Sequence, residues 1–452
     1  MKTRVSFILL LILLVGVSVE ASDNFVTVYN DDLALIKQVR TIDIERQDEL
    51  FRFTDVAAKL IPSSVRLRSV SGNTAFRVIE QNFEYDLVSS EKILEKYIDH
   101  PIEIIRENGE LIRGVLLNKQ RGSLVLRTDN GIKLLPWNDE TTISVGDLPE
   151  GLITRPTLVW ALAGVKGDKE KVEVSYLTTG MDWQAQYVGV LDEKSNSIGL
   201  DAWVSVNNRC GTTFKDAKLK LVAGEVHRAL APESRRREKG VYQMQAEAVA
   251  DRGFKEREFF EYHIYDLGRR TTVKNNQIKQ IALFPPATVS TEKGFFFNAA
   301  HDAKKVEVRL TFLNKENAGL GKPLPAGVFR IYKKDQASLE FVGEDRIDHT
   351  PSGEEIKITV GKAFDLRGER KVVKSRKISD RSERRTIEIE LRNNKEDEDV
   401  KIVVEETLYY RDWDIEEANF PHTKKDMNHV EFQVPVKAQG KAVVRYRLLR
   451  RW

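Results

Sequence analysis

Cysteine is nearly absent from this sequence. Cys210 is the only one in 452 residues, so no intrachain disulfide can form and stability has to come from packing. It sits in Val204-Ser205-Val206-Asn207-Asn208-Arg209-Cys210-Gly211, an apolar strand running into a turn, where a thiol behaves as a small buried hydrophobe. The competing roles are nucleophile and dimer link. Arg209 is the one adjacent base, and on a strand it points to the opposite face, so nothing beside the thiol lowers its pKa. A surplus of one charge is also lacking: 72 Lys and Arg stand against 69 Asp and Glu, a net charge of +3. Nucleic-acid binding wants a concentrated basic surface, so no nucleic-acid partner is expected.

Long apolar runs are missing beyond the first residues. Lys2 and Arg4 precede an apolar run from Val5 to Val17, and Val19 and Ala21 are small residues spaced as in a cleavage site. This is the pattern of a secretory signal peptide over residues 1–21. The run has 13 residues, short of the roughly 20 that span a bilayer; an uncleaved anchor is the alternative. No Cys follows it, as lipoprotein processing would require. No later stretch approaches a transmembrane span, and the expected location is periplasmic or extracellular.

Catalytic motifs are equally scarce. There is no G-x-S-x-G elbow, Walker loop or G-x-G-x-x-G. Ser89-Ser90-Glu91-Lys92 spells S-x-x-K, but Ser22-Asp23-Asn24 lies before it rather than after and no K-T-G follows. The seven histidines are scattered; His422 and His429 are seven apart in a region rich in Asp and Lys, and surface histidines are the default. No metal, cofactor or catalytic residue is assigned. Carboxylates are plentiful, as in Glu405-Glu406 or Asp412-Trp413-Asp414, and a glycosidase needs two of them about 5–10 Å apart. Arg367 to Arg385 holds nine Lys and Arg interleaved with Val372, Val373 and Ile378, read either as a solvated strand face or as a contact for an anionic polymer or lipid surface.

What is abundant is short alternating strands. Leu33–Ile44, Val306–Phe312 and Thr386–Arg392 alternate apolar and polar residues, as do Val430–Val436 and Val443–Leu448. The acidic stretch from Asn393 to Asp399 and a strand from Lys401 to Leu408 suggest a hairpin with Thr386–Arg392. Ser89–Tyr97 is the best helical segment. The fold class expected is mostly β, with several β-sandwich-like domains and a small barrel insert resembling the Sm or SH3 type. The boundaries are an N-terminal β domain at 22–89, the insert at 90–148 with Gly114 at a strand bend, a sandwich at 155–298 and a C-terminal sandwich at 299–452. Residues 229–258 have few large apolar side chains and are expected to form a flexible loop. Its Arg235, Arg236 and Arg237 are an exposed basic handle and the candidate partner-binding residues.

The third segment carries a recognisable order of residues. Arg155-Pro156-Thr157-Leu158-Val159-Trp160 precedes Tyr176-Leu177-Thr178-Thr179-Gly180-Met181-Asp182-Trp183 and Tyr187; then come Trp203, Asn207 to Gly211, Asp216-Ala217 and Leu221-Val222-Ala223-Gly224. Leu324 to Gly327, Val342 to Glu344 and Trp413 continue the series. The chain resembles the bacterial domain-of-unknown-function family 4139, related to the mucoidy inhibitor A proteins. Val26 to Asn30 with Leu33 to Leu35 is similar to that family's N-terminal β domain. The resemblance implies architecture but no mechanism, and makes Trp160, Trp183, Tyr187, Trp203 and Trp413 its structural signature. Many relatives carry a long coiled coil where this chain has the small insert, and Cys210 stands where the family turn usually has Ser.

The expected function is binding or scaffolding in the cell envelope, with an envelope protein or surface polymer as partner. The alternative is a carboxylate-based hydrolase of envelope polysaccharide or peptidoglycan. Intact mass of the exported protein should place its first residue at Ser22; retention of residues 1–21 would identify an anchor instead.

Overall fold

The computed structural model describes residues 23–43, 50–70, 76–120, 122–138, 141–149, 151–164, 169–224, 254–259, 262–336 and 338–452. These residues are mostly β, arranged in five separate sheets. The signal-peptide segment and Arg235, Arg236 and Arg237 lie outside the described residues.

Strict alternation decides which face of each strand is buried. In Asp23–Tyr29 it turns Asn24, Val26 and Val28 inward; in Met181–Leu191 it buries Met181, Trp183, Ala185 and Tyr187. The first sheet has seven strands in the order Lys255–Phe259, Tyr262–Val273, Phe214–Ala223, Asp23–Tyr29, Ala34–Asp43, Lys169–Thr178 and Arg66–Ser69. Asp23–Tyr29 lies inside it, parallel to Phe214–Ala223 and antiparallel to Ala34–Asp43. A second sheet orders Gln277–Ser290, Ser197–Asn208, Met181–Leu191, Gly327–Asp335 and Ser338–Ile347. Trp183 joins the two sheets: its indole N–H donates to the Val222 carbonyl at 3.1 Å, and its ring meets Tyr265 edge-on at 6.2 Å. A three-stranded sheet, Phe51–Thr54, Thr157–Ala163 and Arg77–Glu84, closes the same core with Phe53, Leu158 and Trp160.

The boundaries drawn from sequence therefore differ from the sheets. Strands from 23–43, 66–69, 169–178 and 214–273 share one sheet, and Leu310, Phe312, Ile356 and Ile358 enter the same core. The cause is long-range pairing of the first strand, which no local pattern reports.

The insert stands apart with its own core. Helix Ser90–Lys96 contributes Leu94, and five antiparallel strands supply Ile102, Ile104, Ile112, Leu116, Leu124, Leu126 and Leu135. The strand order is Thr141–Ser144, Pro101–Arg106, Leu111–Gln120, Ser123–Thr128 and Gly131–Pro136. Gly114 is needed because a Cβ there would lie 2.8 Å from the Arg127 carbonyl. Among the described residues the two outer strands do not pair with each other, so no backbone ladder closes a barrel. Ser89 caps the helix, accepting from the Lys92 N–H at 3.2 Å, and Lys92 bonds Asp86. The S-x-x-K spelling is a helix start.

The last sheet has nine strands: Asp412–Ala418, Gly440–Arg451, Ser382–Asn393, Glu355–Ser379, Lys305–Leu313, Glu292–Phe297, Val400–Thr407, His429–Val436 and His422–Lys424. It folds over on itself, bringing the Phe432 and Tyr446 rings to 5.2 Å. Two expectations are corrected here. Ser382–Asn393 does not form a hairpin with Val400–Thr407, because both its edges are taken by Glu355–Ser379 and Gly440–Arg451. The stretch between them crosses over, pinned by the buried Asn393 amide donating to the Glu398 carbonyl at 2.8 Å. The end of the expected 229–258 loop is also not a loop. Lys255–Phe259 pairs with Tyr262–Val273, and Phe254 just before it is buried in the core.

Trp183→Ala should lower the unfolding free energy by about 3–5 kcal/mol, read by urea denaturation followed by circular dichroism. Unchanged stability with loss of a ligand would make Trp183 a site residue instead.

Candidate functional site

The strand Glu355–Ser379 is 25 residues long, several times the usual strand length of about 5–6. Ile356 and Ile358 lie in the large core, and Leu366 lies in the C-terminal core. From Lys371 to Ser379 every residue is exposed. The ladder with Lys305–Leu313 ends at Lys305 opposite Arg367, where the Gly368 N–H donates to the Lys304 carbonyl at 3.0 Å. Beyond that point one edge pairs with Ser382–Asn393 as far as Ser379 opposite Ser382. The other edge, from Glu369 to Ser379, pairs with no strand among the described residues. The result is a basic edge strand, backed to its tip by Ser382–Asn393, Gly440–Arg451 and Asp412–Ala418, with one backbone edge open among the described residues.

Its root is held by ionic contacts. Glu406, 4 % exposed, accepts two bonds from the Arg370 guanidinium at 3.0 Å and one from the Tyr446 hydroxyl. Burial, then the neighbouring Glu406 carboxylate, raises the Tyr446 hydroxyl well above its ordinary pKa. Further out, Glu383 bonds Ser375, Arg385 and Arg450. The Ser375 hydroxyl, followed by the Arg450 and Arg385 guanidiniums, holds the Glu383 carboxyl down at about 2. Arg450 itself lies over the Tyr410 and Trp452 rings at 4.8 and 5.1 Å.

The tip is less well neutralised. Lys371 pairs with Glu369, Lys377 with Asp380, and Arg384 with Glu416. Among the described residues no carboxylate lies within ion-pair distance of Lys374, Arg376 or Arg381. Arg376 stands directly opposite Arg384, an arrangement of like charges that destabilises a sheet. Register shifts leave Val373 and Ile378 unpaired, each 46 % exposed. The hairpin is thus a basic strand edge with two apolar side chains displaced from its ladder.

The other candidates separate in space. Glu405 and Glu406 are neighbours on one strand and point to opposite faces: Glu405 pairs with Arg309 at 2.6 Å, Glu406 with Arg370. They cannot act on one sugar. Asp412 pairs with Arg451, while Trp413 turns inward, donating to the Met427 carbonyl at 2.8 Å under Lys424. His429 bonds Asp426 and His422 packs on Phe432; among the described residues no group of three or more His, Cys, Asp or Glu could hold a metal. A cavity of about 150 Å³ between Phe284–Pro286 and Gly319–Leu324 is below the roughly 300 Å³ of small-molecule sites. A shallow depression of about 500 Å³ runs along the seam between the insert and its linker, beside Tyr97, His100 and Asp147. Neither touches the acidic pairs.

The aromatic signature is structural where it is buried. Trp160 donates to Gln81 Oε1 at 2.8 Å and stacks on Phe51; Tyr187 donates to the Pro325 carbonyl at 2.8 Å and stacks on Phe329. Trp203 is half-buried, opposite Gln186 and Ala282. Cys210 is buried, and burial pushes its thiol up to about 11. The sequence profile of the family described as a domain of unknown function (DUF4139) matches residues 172–452. The chain belongs to this family. The DUF4139 match begins in the strand Lys169–Thr178 and includes the whole basic hairpin. The first two strands and the insert lie outside it. No curated protein matches the sequence.

Sequence reading found the basic run but not its open edge, and missed Arg370–Glu406–Tyr446 altogether. Period-two alternation across Glu405-Glu406 was the available signal. Two outcomes follow. Native Cys210 should resist iodoacetamide at pH 8, while urea-unfolded protein is labelled. Arg376→Ala should keep full stability, because it removes a like-charge pair; a loss above about 0.5 kcal/mol would show a structural role.

Proposed function

We propose that the protein is exported and works by binding in the cell envelope, as an interaction or scaffold module. One observation carries this reading: the long basic strand Glu355–Ser379 ends in an exposed outer edge that, among the described residues, is unpaired and carries three cations without a carboxylate partner. Packing does not account for this edge, since every residue from Lys371 to Ser379 is exposed. An exposed strand edge on a rigid scaffold is a template for pairing with another chain. The N-terminal leader pattern supports export. The hydrolase alternative has weaker support, since the adjacent acids face apart.

In-cell crosslinking of the full chain, followed by fractionation and mass spectrometry, should recover envelope components bound to an exported protein. Recovery of the protein and its partners in the cytoplasm would reject the proposal.

A further inference from the structure

The open edge has a chemistry specific enough to name its occupant. We infer that Glu369–Ser379 accepts an extended, acidic segment of another protein as an added β-strand. This rests on the binding reading above and narrows it to one element and one partner class.

Three observations converge. First, backbone N–H and C=O groups on an unpaired edge seek partners, and peptides exploit such edges by strand addition. The edge is 11 residues long, about 36 Å at the usual rise, enough for an ordinary strand. Second, Lys374, Arg376 and Arg381 lack acidic partners among the described residues, and Arg376 faces Arg384 across the ladder. Acidic side chains on an incoming strand would relieve that repulsion. Third, Val373 and Ile378 are displaced from the inner ladder and half exposed, giving an incoming strand two apolar contacts.

The same features select against other occupants. A second copy pairing edge to edge would bring Lys371, Lys374 and Lys377 against one another, which is unfavourable. Lysines and bulges are devices that keep edges from indiscriminate pairing; here they leave the edge open only to a strand carrying the opposite charge. A polysaccharide or an anionic lipid surface would satisfy the cations but not the backbone.

The test uses the full exported chain and a fluorescein-labelled peptide of alternating Glu and Val, read by fluorescence anisotropy. Binding should weaken at least tenfold when alternate peptide nitrogens are methylated, which removes ladder donors without changing charge. The combined variant Lys374→Ala, Arg376→Ala, Arg381→Ala should weaken it by a similar factor while retaining its melting temperature. Equal binding of the methylated peptide, or tighter binding of heparin or phosphatidylglycerol vesicles, would overturn strand addition in favour of surface electrostatics. Absence of peptide binding, with envelope proteins still captured by a photocrosslinker at position 378, would also overturn it and leave the binding reading standing. Absence of both would remove the hairpin as a binding element.

Discussion

The continuity of one strand constrains most of this molecule. Glu355–Ser379 passes from the large core to the C-terminal core as one strand, with an irregularity where its ladder to Lys305–Leu313 jumps from Lys362 to Arg367, so no linker separates the two. Close approaches lock it on the way. A Cβ on Gly343 would lie 1.9 Å from the Val360 carbonyl, and Asp345 accepts from the Thr359 N–H at 2.7 Å. Gly368 lies against the Phe297 ring, where a Cβ would come within 2.4 Å. The direction of the basic strand edge is therefore set by packing in both cores, not by a loop.

Charge pairs at the root fix register rather than supply stability. A buried ion pair loses much of its Coulombic gain to desolvation, and its best-attested use is specificity. Arg370 with Glu406 and Arg309 with Glu405 sit on opposite faces of the strand Val400–Thr407. A one-residue slip of Val400–Thr407 would exchange the two carboxylates and bury the wrong face. The adjacent acids that look catalytic in sequence are better understood as a register mark.

Alternation made the β class legible: the strands around Leu33–Ile44, Val306–Phe312 and Val430–Val436 lie where apolar residues recur every second position, and Ser89 announced the helix it caps. Partner choice was not legible. Asn393–Asp399 has the composition of a turn, yet the neighbouring strand has no free edge to offer. Phe254 and the strand after it looked like loop because burial of one aromatic depends on a core assembled from elsewhere. The basic run of the hairpin was visible as composition, whereas its edge, open among the described residues, lies beyond the point where the adjoining strand stops at Lys305. The family likeness reached further than the profile match, whose first residue is Val172.

The position of Asp23–Tyr29 also bears on how the chain acquires its structure in time. Asn24 bonds the Lys215 carbonyl, 191 positions later, and the strand's parallel neighbour is Phe214–Ala223. A chain emerging from its N-terminus exposes Val26 and Val28 long before that neighbour exists. Such distant contacts make folding slow and leave unpaired edges open to aggregation meanwhile. The first sheet can be completed only once the chain has been made as far as Val273, so a chain interrupted before residue 214 keeps an unsatisfied apolar strand.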